Sequence, residues 1–427
     1  MLNVSLASGG VPNDVLVRPM GANVDVVVNG ALRHRVPDSA ALTVRITGSG
    51  IRDVLTVRSG VRALTTFDGK AGADELTLAG TAAGDGVAVA ANAAAINGTR
   101  VQFADVSSVT VNTAAGDDRV SVASTAAGVT TTINGGGGND AVTLGMNLAV
   151  TGRTFSATLD HFAGTLSING GTGTDRVTAN DNASAAGHAY TLGGGSGGAI
   201  DRWGLSRGPR LVFEYLNLDA LSVSSTRFAD SMDVTGTQPG LDLRIAGWGG
   251  FDTLTGSNQA NGFFVTGLNS GFHSGTGSPA WFTSYEHLLG GGGQDLFYIG
   301  AGGRVTGRID GRGGLNMLSY TRTAIPSIMP AITDYVGNVV VNLQAGLATA
   351  VQGGVRGIQD VYGSSGDDLL IGDSQANRLE GRGGNDRLYG RDGNDRLFGG
   401  GGNDQLFGEG GVDTLDGGPG VNRLSPG

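Results

Sequence analysis

Apolar and polar residues alternate in short runs along most of this chain, and each run breaks at a cluster of glycine, asparagine and aspartate. Clear examples are LTVRITGSGIRDVLTV at 42–57, VTVNTAAGDDRVSV at 109–122, LSINGGTGTDRVTA at 166–179 and LSVSSTRFADSMDV at 221–234. Alternation with a period of two marks half-buried strands, and the residues between them have the chemistry of tight turns. In each stretch an apolar residue precedes an aspartate by nine positions: Val44 and Asp53, Val109 and Asp118, Leu166 and Asp175, Leu221 and Asp230. Shorter versions carry Asp295 and Asp368, and isolated turns carry Asp74, Asp140, Asp252 and Asn316. Helical periodicity is nearly absent, so the pattern predicts an all-β chain.

The distance between turns suggests how the strands are arranged. Asp53 and Asp74 stand twenty-one positions apart, Asp118 and Asp140 twenty-two, and Asp295 and Asn316 twenty-one, whereas Asp74 and Asp118 stand forty-four apart. Rungs of about 21–22 residues fit a parallel β-solenoid, in which each rung buries its apolar face only against its neighbours. A string of small β-sandwich-like units is the less favoured alternative. The pattern predicts degenerate solenoid repeats over 1–320 and a linker or lead-in strands over 321–362, where Pro326 and Pro330 are the densest prolines. A separate block follows at 363–427.

That block is strictly periodic. From 363 to 425 it reads GSSGDDLLI, GDSQANRLE, GRGGNDRLY, GRDGNDRLF, GGGGNDQLF, GEGGVDTLD and GGPGVNRLS, with glycine first and leucine eighth in all seven units. The sixth place holds Asp368, Asn377, Asp386, Asp395, Asp404, Asp413 and Asn422. These units resemble the RTX, or hemolysin-type, calcium-binding nonapeptide, GGxGxDxUx with U a large aliphatic residue. The resemblance implies a parallel β-roll in which glycines at the first, second and fourth places form a turn through positive φ or close backbone approach. The leucines make its core. Two units complete a coil, so Asp368, Asp386, Asp404 and Asn422 line one edge, and Asn377, Asp395 and Asp413 the other. The implied ligand is Ca²⁺, held by Asp368 with Asp386, Asp386 with Asp404 and Asp395 with Asp413. Turn carbonyls are expected from Gly366, Gly384, Gly393, Gly402 and Gly411, and weaker or empty sites at Asn377 and Asn422.

Physical chemistry points the same way. One leucine in nine residues is a thin interior, and carboxylates stacked about 4.8 Å apart repel by roughly 3–4 kcal/mol per pair at an effective dielectric near 20. A hard cation between coils turns that repulsion into attraction, and its binding free energy becomes folding free energy. Among the upstream turns, Asp140 and Asp175 would bind calcium only with a matching turn one coil away. Otherwise they are tight turns closed by an Asx hydrogen bond.

Composition narrows the functions. The 427 residues include 79 glycines and no cysteine, with a net charge of −10. The charge disfavours nucleic acid and anionic membranes and favours cations. Disulfides and thiolate chemistry are excluded, and no apolar run approaches a membrane span. The N-terminal residues show no leader, and the segment after the repeats is shorter than the C-terminal export signal usual in the resembled family, so the export route stays open. The histidines (His34, His161, His188, His273, His287) are scattered and no H-E-x-x-H occurs. Gly194 to Gly198 fits G-x-S-x-G only by letter, within a glycine run. The expectation is a non-enzymatic, secreted or cell-surface calcium-binding solenoid. Its candidate partners are extracellular polysaccharide or cell-surface components. The alternative is a polysaccharide lyase or epimerase, for which Arg202, Arg207 and Arg210 form the noticeable basic cluster. Two aromatic groups, Trp203, Phe213 and Tyr215, and Trp281, Phe282 and Tyr285, read as core rather than as a sugar platform.

Overall fold

The structure is a computed structural model that describes the chain apart from residues 8–10, 147, 151–152, 195–202, 276 and 323–331. Every named element is a β-strand, and the long sheets stack largely in parallel, giving the expected solenoid. Two compact units form: residues 1–185 with 194–225, and residues 186–193 with 226–427.

In the first unit, Glu75–Ala79, Ser108–Asn112, Thr130–Gly137 and Thr165–Thr172 stack in parallel, so Leu76, Val109, Thr131 and Leu166 form one row and Leu78, Val111, Ile133 and Ile168 the next. An opposing wall stacks Gly86–Ala90, Arg119–Val122, Ala141–Leu144, Arg176–Asn180 and Ala220–Ser224. Its inward rows are Val87, Val120, Val142, Val177 and Leu221, then Val89, Val122, Leu144, Ala179 and Val223, all buried. Alternation thus sends two side chains per strand into the core.

Where nothing interrupts a rung, its length is the one that the spacing of turns predicts, as the pairing of Val54 with Glu75 and of Ser108 with Thr130 shows. Antiparallel hairpins lengthen the others. Ala93–Ile96 pairs with Gly86–Ala90 and Thr99–Ala104, and Trp203–Arg207 pairs with Arg210–Leu216. The long gap between Asp74 and Asp118 has a second cause. Asp74 leads into Glu75–Ala79 of one wall, whereas Asp118 leads into Arg119–Val122 of the other.

The second unit begins with an aromatic interior. Phe263 stacks on Phe297 at 5.0 Å and Phe264 on Phe272 at 4.6 Å, and Phe282, Tyr285 and Tyr298 are fully buried. Within 321–362, Val340–Asn342 pairs with Leu369–Ile371, Val355–Arg356 with Ile309–Asp310, and Asp360–Tyr362 with both Met317–Ser319 and Arg378–Gly383. These segments therefore complete coils, while Pro326 and Pro330 lie outside the described residues.

The periodic block forms the last coils of this unit. Arg387–Asp392 pairs with Gln405–Gly410 and Arg378–Gly383 with Arg396–Gly401. Each strand thus meets the one two repeats further on, so two nonapeptides make one coil. Leu370, Leu379, Leu388, Leu397 and Leu406 are sealed at 0% exposure, whereas Leu424 at the last strand is 46% exposed. The second inward position of these strands is a glycine: Gly381, Gly390, Gly399 and Gly408.

Candidate metal centre

The turns of the third to sixth C-terminal repeats use the left-handed region twice, at their second and fourth places. The pairs are Arg382 (φ 84°) and Gly384 (111°), Arg391 (80°) and Gly393 (128°), Gly400 (102°) and Gly402 (137°), and Glu409 (70°) and Gly411 (128°). Non-glycine residues thus hold the second place three times, although this conformation costs them about 1–2 kcal/mol. The first-place glycine serves close approach and not positive φ. Its φ is ordinary, but a Cβ on Gly381, Gly390, Gly399 or Gly408 would fall on the carboxylate of Asp386, Asp395, Asp404 or Asp413. It makes room for the aspartate.

The turns are tied between coils at three places. The fourth-place amides of Gly384, Gly393 and Gly402 donate to the third-place carbonyls of Gly401, Gly410 and Pro419, at 2.9, 2.8 and 3.0 Å. At the fifth place, the amides of Asn385, Asn403 and Val421 donate to side-chain oxygens of Asp367, Asn385 and Asn403 at 2.6–2.9 Å. At the sixth, the amides of Asp368, Asp386 and Asp404 donate to Oδ1 of Asp386, Asp404 and Asn422, each at 2.8 Å. On the other edge, Asn377 donates to Asp395 and Asp395 to Asp413. The structure therefore places the sixth-place residues in two columns. Sequence reasoning passed over the fifth-place ladder, although recurrent Asn-Asp pairs signalled it.

The columns contain two kinds of corner. Asp386, Asp395, Asp404 and Asp413 each leave a buried Oδ2 with no hydrogen-bond partner. At Asp368, Oδ2 instead accepts the amide of Ser364 at 2.7 Å, and the Ser364 hydroxyl donates to Oδ1 at 3.0 Å. Asn377 likewise accepts the amide of Asp373 at 2.8 Å. The cause lies four residues back. Ser364 and Asp373 have ordinary φ, so their amides face the side chain, whereas positive φ at Arg382, Arg391, Gly400 and Glu409 turns that amide away. Asn422 is a neutral amide and offers no anion; its Oδ1 accepts the amide of Asp404 and its Nδ2 donates to Gly418 at 2.8 Å.

A buried carboxylate oxygen without a partner is costly. Burial pushes the Asp386 carboxyl up to about 7, with the charges of Asp368 and Asp404 adding to it, and burial pushes Asp395 up to about 6. Among the described residues no three His, Cys, Asp or Glu side chains converge as a metal cluster. A cation here must take two carboxylates from successive coils and complete its shell with backbone carbonyls. An all-oxygen, flexible donor set suits calcium better than magnesium, zinc or copper.

The other candidates are absorbed by the fold. Arg207 pairs with Asp160 at 2.6 Å and with Asp181 at 2.8 Å, and Arg210 donates to the Leu159 carbonyl at 2.9 Å. Arg202 and residues 195–198 lie outside the described set. Phe213, Tyr215, Phe282 and Tyr285 are buried in the core, while Trp281 is 42% exposed. Asp117 and Asp367 accept fifth-place amides from the following coil, so their neighbouring pairs with Asp118 and Asp368 serve the turns. Among the described residues no helix is long and apolar enough to cross a membrane.

The RTX calcium-binding nonapeptide repeat (4 copies) matches residues 132–146, 362–397 and 389–424. No curated protein matches the chain. Repeats of this class bind Ca²⁺.

Proposed function

Because this chain carries RTX calcium-binding repeats, we propose that it is a secreted or cell-surface structural protein whose C-terminal roll folds when calcium binds. The row of partnerless Oδ2 atoms on Asp386, Asp395, Asp404 and Asp413 carries this reading. The principal ligand pairs are Asp386 with Asp404 and Asp395 with Asp413, supplemented by turn carbonyls such as those of Gly384, Gly393, Gly402 and Gly411. The pair of Asp368 with Asp386, with the Gly366 carbonyl, is weaker because Ser364 already occupies the Asp368 carboxylate. Asn377 and Asn422 contribute least. A cytosol poor in free calcium leaves the roll unfolded for export, and extracellular calcium, matched to sites of about 10⁻⁴–10⁻³ M, folds it outside. The rigid solenoid then serves adhesion or structure against polysaccharide or cell-surface components. A polysaccharide lyase or epimerase is disfavoured because Arg207 and Arg210 are engaged inside the protein rather than presented to an anionic sugar chain.

Calorimetric titration of the chelated chain with calcium, followed in parallel by circular dichroism, tests the reading. Saturable binding should coincide with a gain of β signal. Unchanged dichroism in millimolar calcium refutes it.

A further inference from the structure

Three consecutive coils of the first unit repeat the ties of the C-terminal turn from its second place to its sixth, although Thr113 stands at the first place of one of them and donates to the Gly135 carbonyl. The segments are 113–118, 135–140 and 170–175. Their second and fourth places are left-handed in each coil: Ala114 (81°) and Gly116 (101°), Gly136 (98°) and Gly138 (123°), Gly171 (106°) and Gly173 (127°). Fourth-place amides donate to third-place carbonyls one coil on, Gly116 to Gly137 at 2.7 Å and Gly138 to Thr172 at 2.8 Å. The fifth-place ladder links Asp117, Asn139 and Thr174 at 2.8 and 2.9 Å. At the sixth place, the amide of Asp118 donates to Asp140 Oδ1 at 2.9 Å and that of Asp140 to Asp175 Oδ1 at 2.8 Å.

The decisive feature is the second carboxylate oxygen. Asp118 and Asp140 are 1% and 2% exposed, and the Oδ2 of each is buried without a partner. An ordinary tight turn looks different in this same chain. Oδ2 of Asp53, Asp85, Asp230 and Asp295 is capped by the amide four residues earlier, from Ser49, Thr81, Thr226 and Gly291, at 2.7–2.8 Å. Asp74 and Asp252 also leave Oδ2 bare after left-handed Lys70 and Trp248. Each of these follows a capped corner in its column, Asp53 and Asp230. Among the described residues before 363, Asp118 and Asp140 are where two bare corners follow one another in a column, with Asp175 next in line.

We infer that this corner of the first unit binds calcium between the turns at 113–118 and 135–140, and again between 135–140 and 170–175. The ligands are Oδ2 of Asp118 and Asp140, the Asp175 carboxylate and carbonyls of the glycine-rich turns. The inference rests on the calcium reading of the C-terminal roll and extends it to a unit with its own apolar core. The repeat match reaches only the middle turn, and one turn alone makes no inter-coil site. The fold supplies the turns on both sides.

Hydrogen exchange of the full chain, measured by mass spectrometry in chelator and in millimolar calcium, tests it region by region. Peptides covering 113–144 and 170–180 should slow in calcium, together with those covering 363–425. In Asp140→Asn the first two regions should lose that response while 363–425 keeps it, and the calorimetric stoichiometry should fall. Should that variant fail to fold, the wild-type comparison alone decides. If calcium slows 363–425 but leaves 113–144 and 170–180 unchanged, the upstream corner is a turn and nothing more. If calcium slows neither region, the reading of the roll falls with it.

Discussion

The coils around residues 108–180 and those at 363–425 share a corner but not an interior. In the first, each strand sends two side chains inward, as Val120 with Val122 and Leu166 with Ile168 do. In the second, each strand sends in one leucine, and the next inward place is a glycine beneath the aspartate. Shrinking the coil from the length of an upstream rung to two nonapeptides removes apolar area faster than it removes backbone to be ordered. The same open corner therefore braces an already stable solenoid in one region and is required for folding in the other.

Chelation separates the two most sharply. In excess EGTA, amides of 378–425 should exchange at nearly unfolded rates, while those of Ser108–Asn112 and Arg119–Val122 stay protected. A roll that remains protected in chelator would erase the distinction, because it would show the leucine row to be sufficient by itself.

Next come substitutions inside the roll. Leu397 is fully buried and is the sole apolar side chain its strand places in the core. Leu397→Ala should cost about 2–5 kcal/mol, move the calcium midpoint for folding well upward and leave the first unit's melting unchanged. Gly390→Ala should be comparably harmful, since its methyl would fall on the Asp395 carboxylate. Val111→Ala upstream should cost less, because Val109 remains on the same strand.

These contrasts show how far the sequence could be read. Strict phase, with the resemblance it carries, made the roll legible: glycine first, leucine eighth and aspartate sixth implied its coil, its two columns and a leucine core, which is sealed from Leu370 to Leu406 and open at Leu424. Upstream, inserted hairpins such as Ala93–Ile96 and Trp203–Arg207 hid the length of the rung, and aspartates leading into different walls gave misleading spacings. The open or capped state of a corner was only partly legible. It depends on φ four residues before the aspartate: Ser49, Thr81, Thr226, Ser364 and Asp373 cap, whereas Arg382, Arg391 and Glu409 are left-handed and do not. Glycine does not report it, since Gly291 caps and Gly400 leaves its corner open.

Protons should oppose calcium at the open corners. In the metal-free fold the Asp386 carboxyl is raised to about 7 and Asp395 to about 6, against an ordinary value near 3.8. The folded metal-free roll thus holds protons that the unfolded chain releases, so its stability is greatest below about pH 4 and falls as pH rises toward 7. Calcium must displace those protons, and its affinity should rise over the same interval. In EGTA the roll should show more β signal at about pH 4.5 than at about pH 7.5, with the order reversed in calcium. Asp140, raised to about 6 by burial, gives the first unit the same sign. Its thicker core should keep that unit folded throughout.

The smallest expected effect concerns the second place of the turn. Arg391 sits at φ 80° where Gly400 occupies the equivalent place in the next unit. Arg391→Gly relieves about 1 kcal/mol of left-handed strain. It also returns conformational freedom to the unfolded chain, worth about 0.4–1 kcal/mol. In addition it loses an ion pair with Glu409 at 3.2 Å whose side chains are 38% and 39% exposed, a contact worth under about 1 kcal/mol. The gain and the losses nearly cancel, so the calcium midpoint should move little. A large loss of calcium affinity in this variant would mean that Arg391 does more than hold the turn open. The opening of a corner would then depend on the side chain at its second place, and not on backbone angle alone.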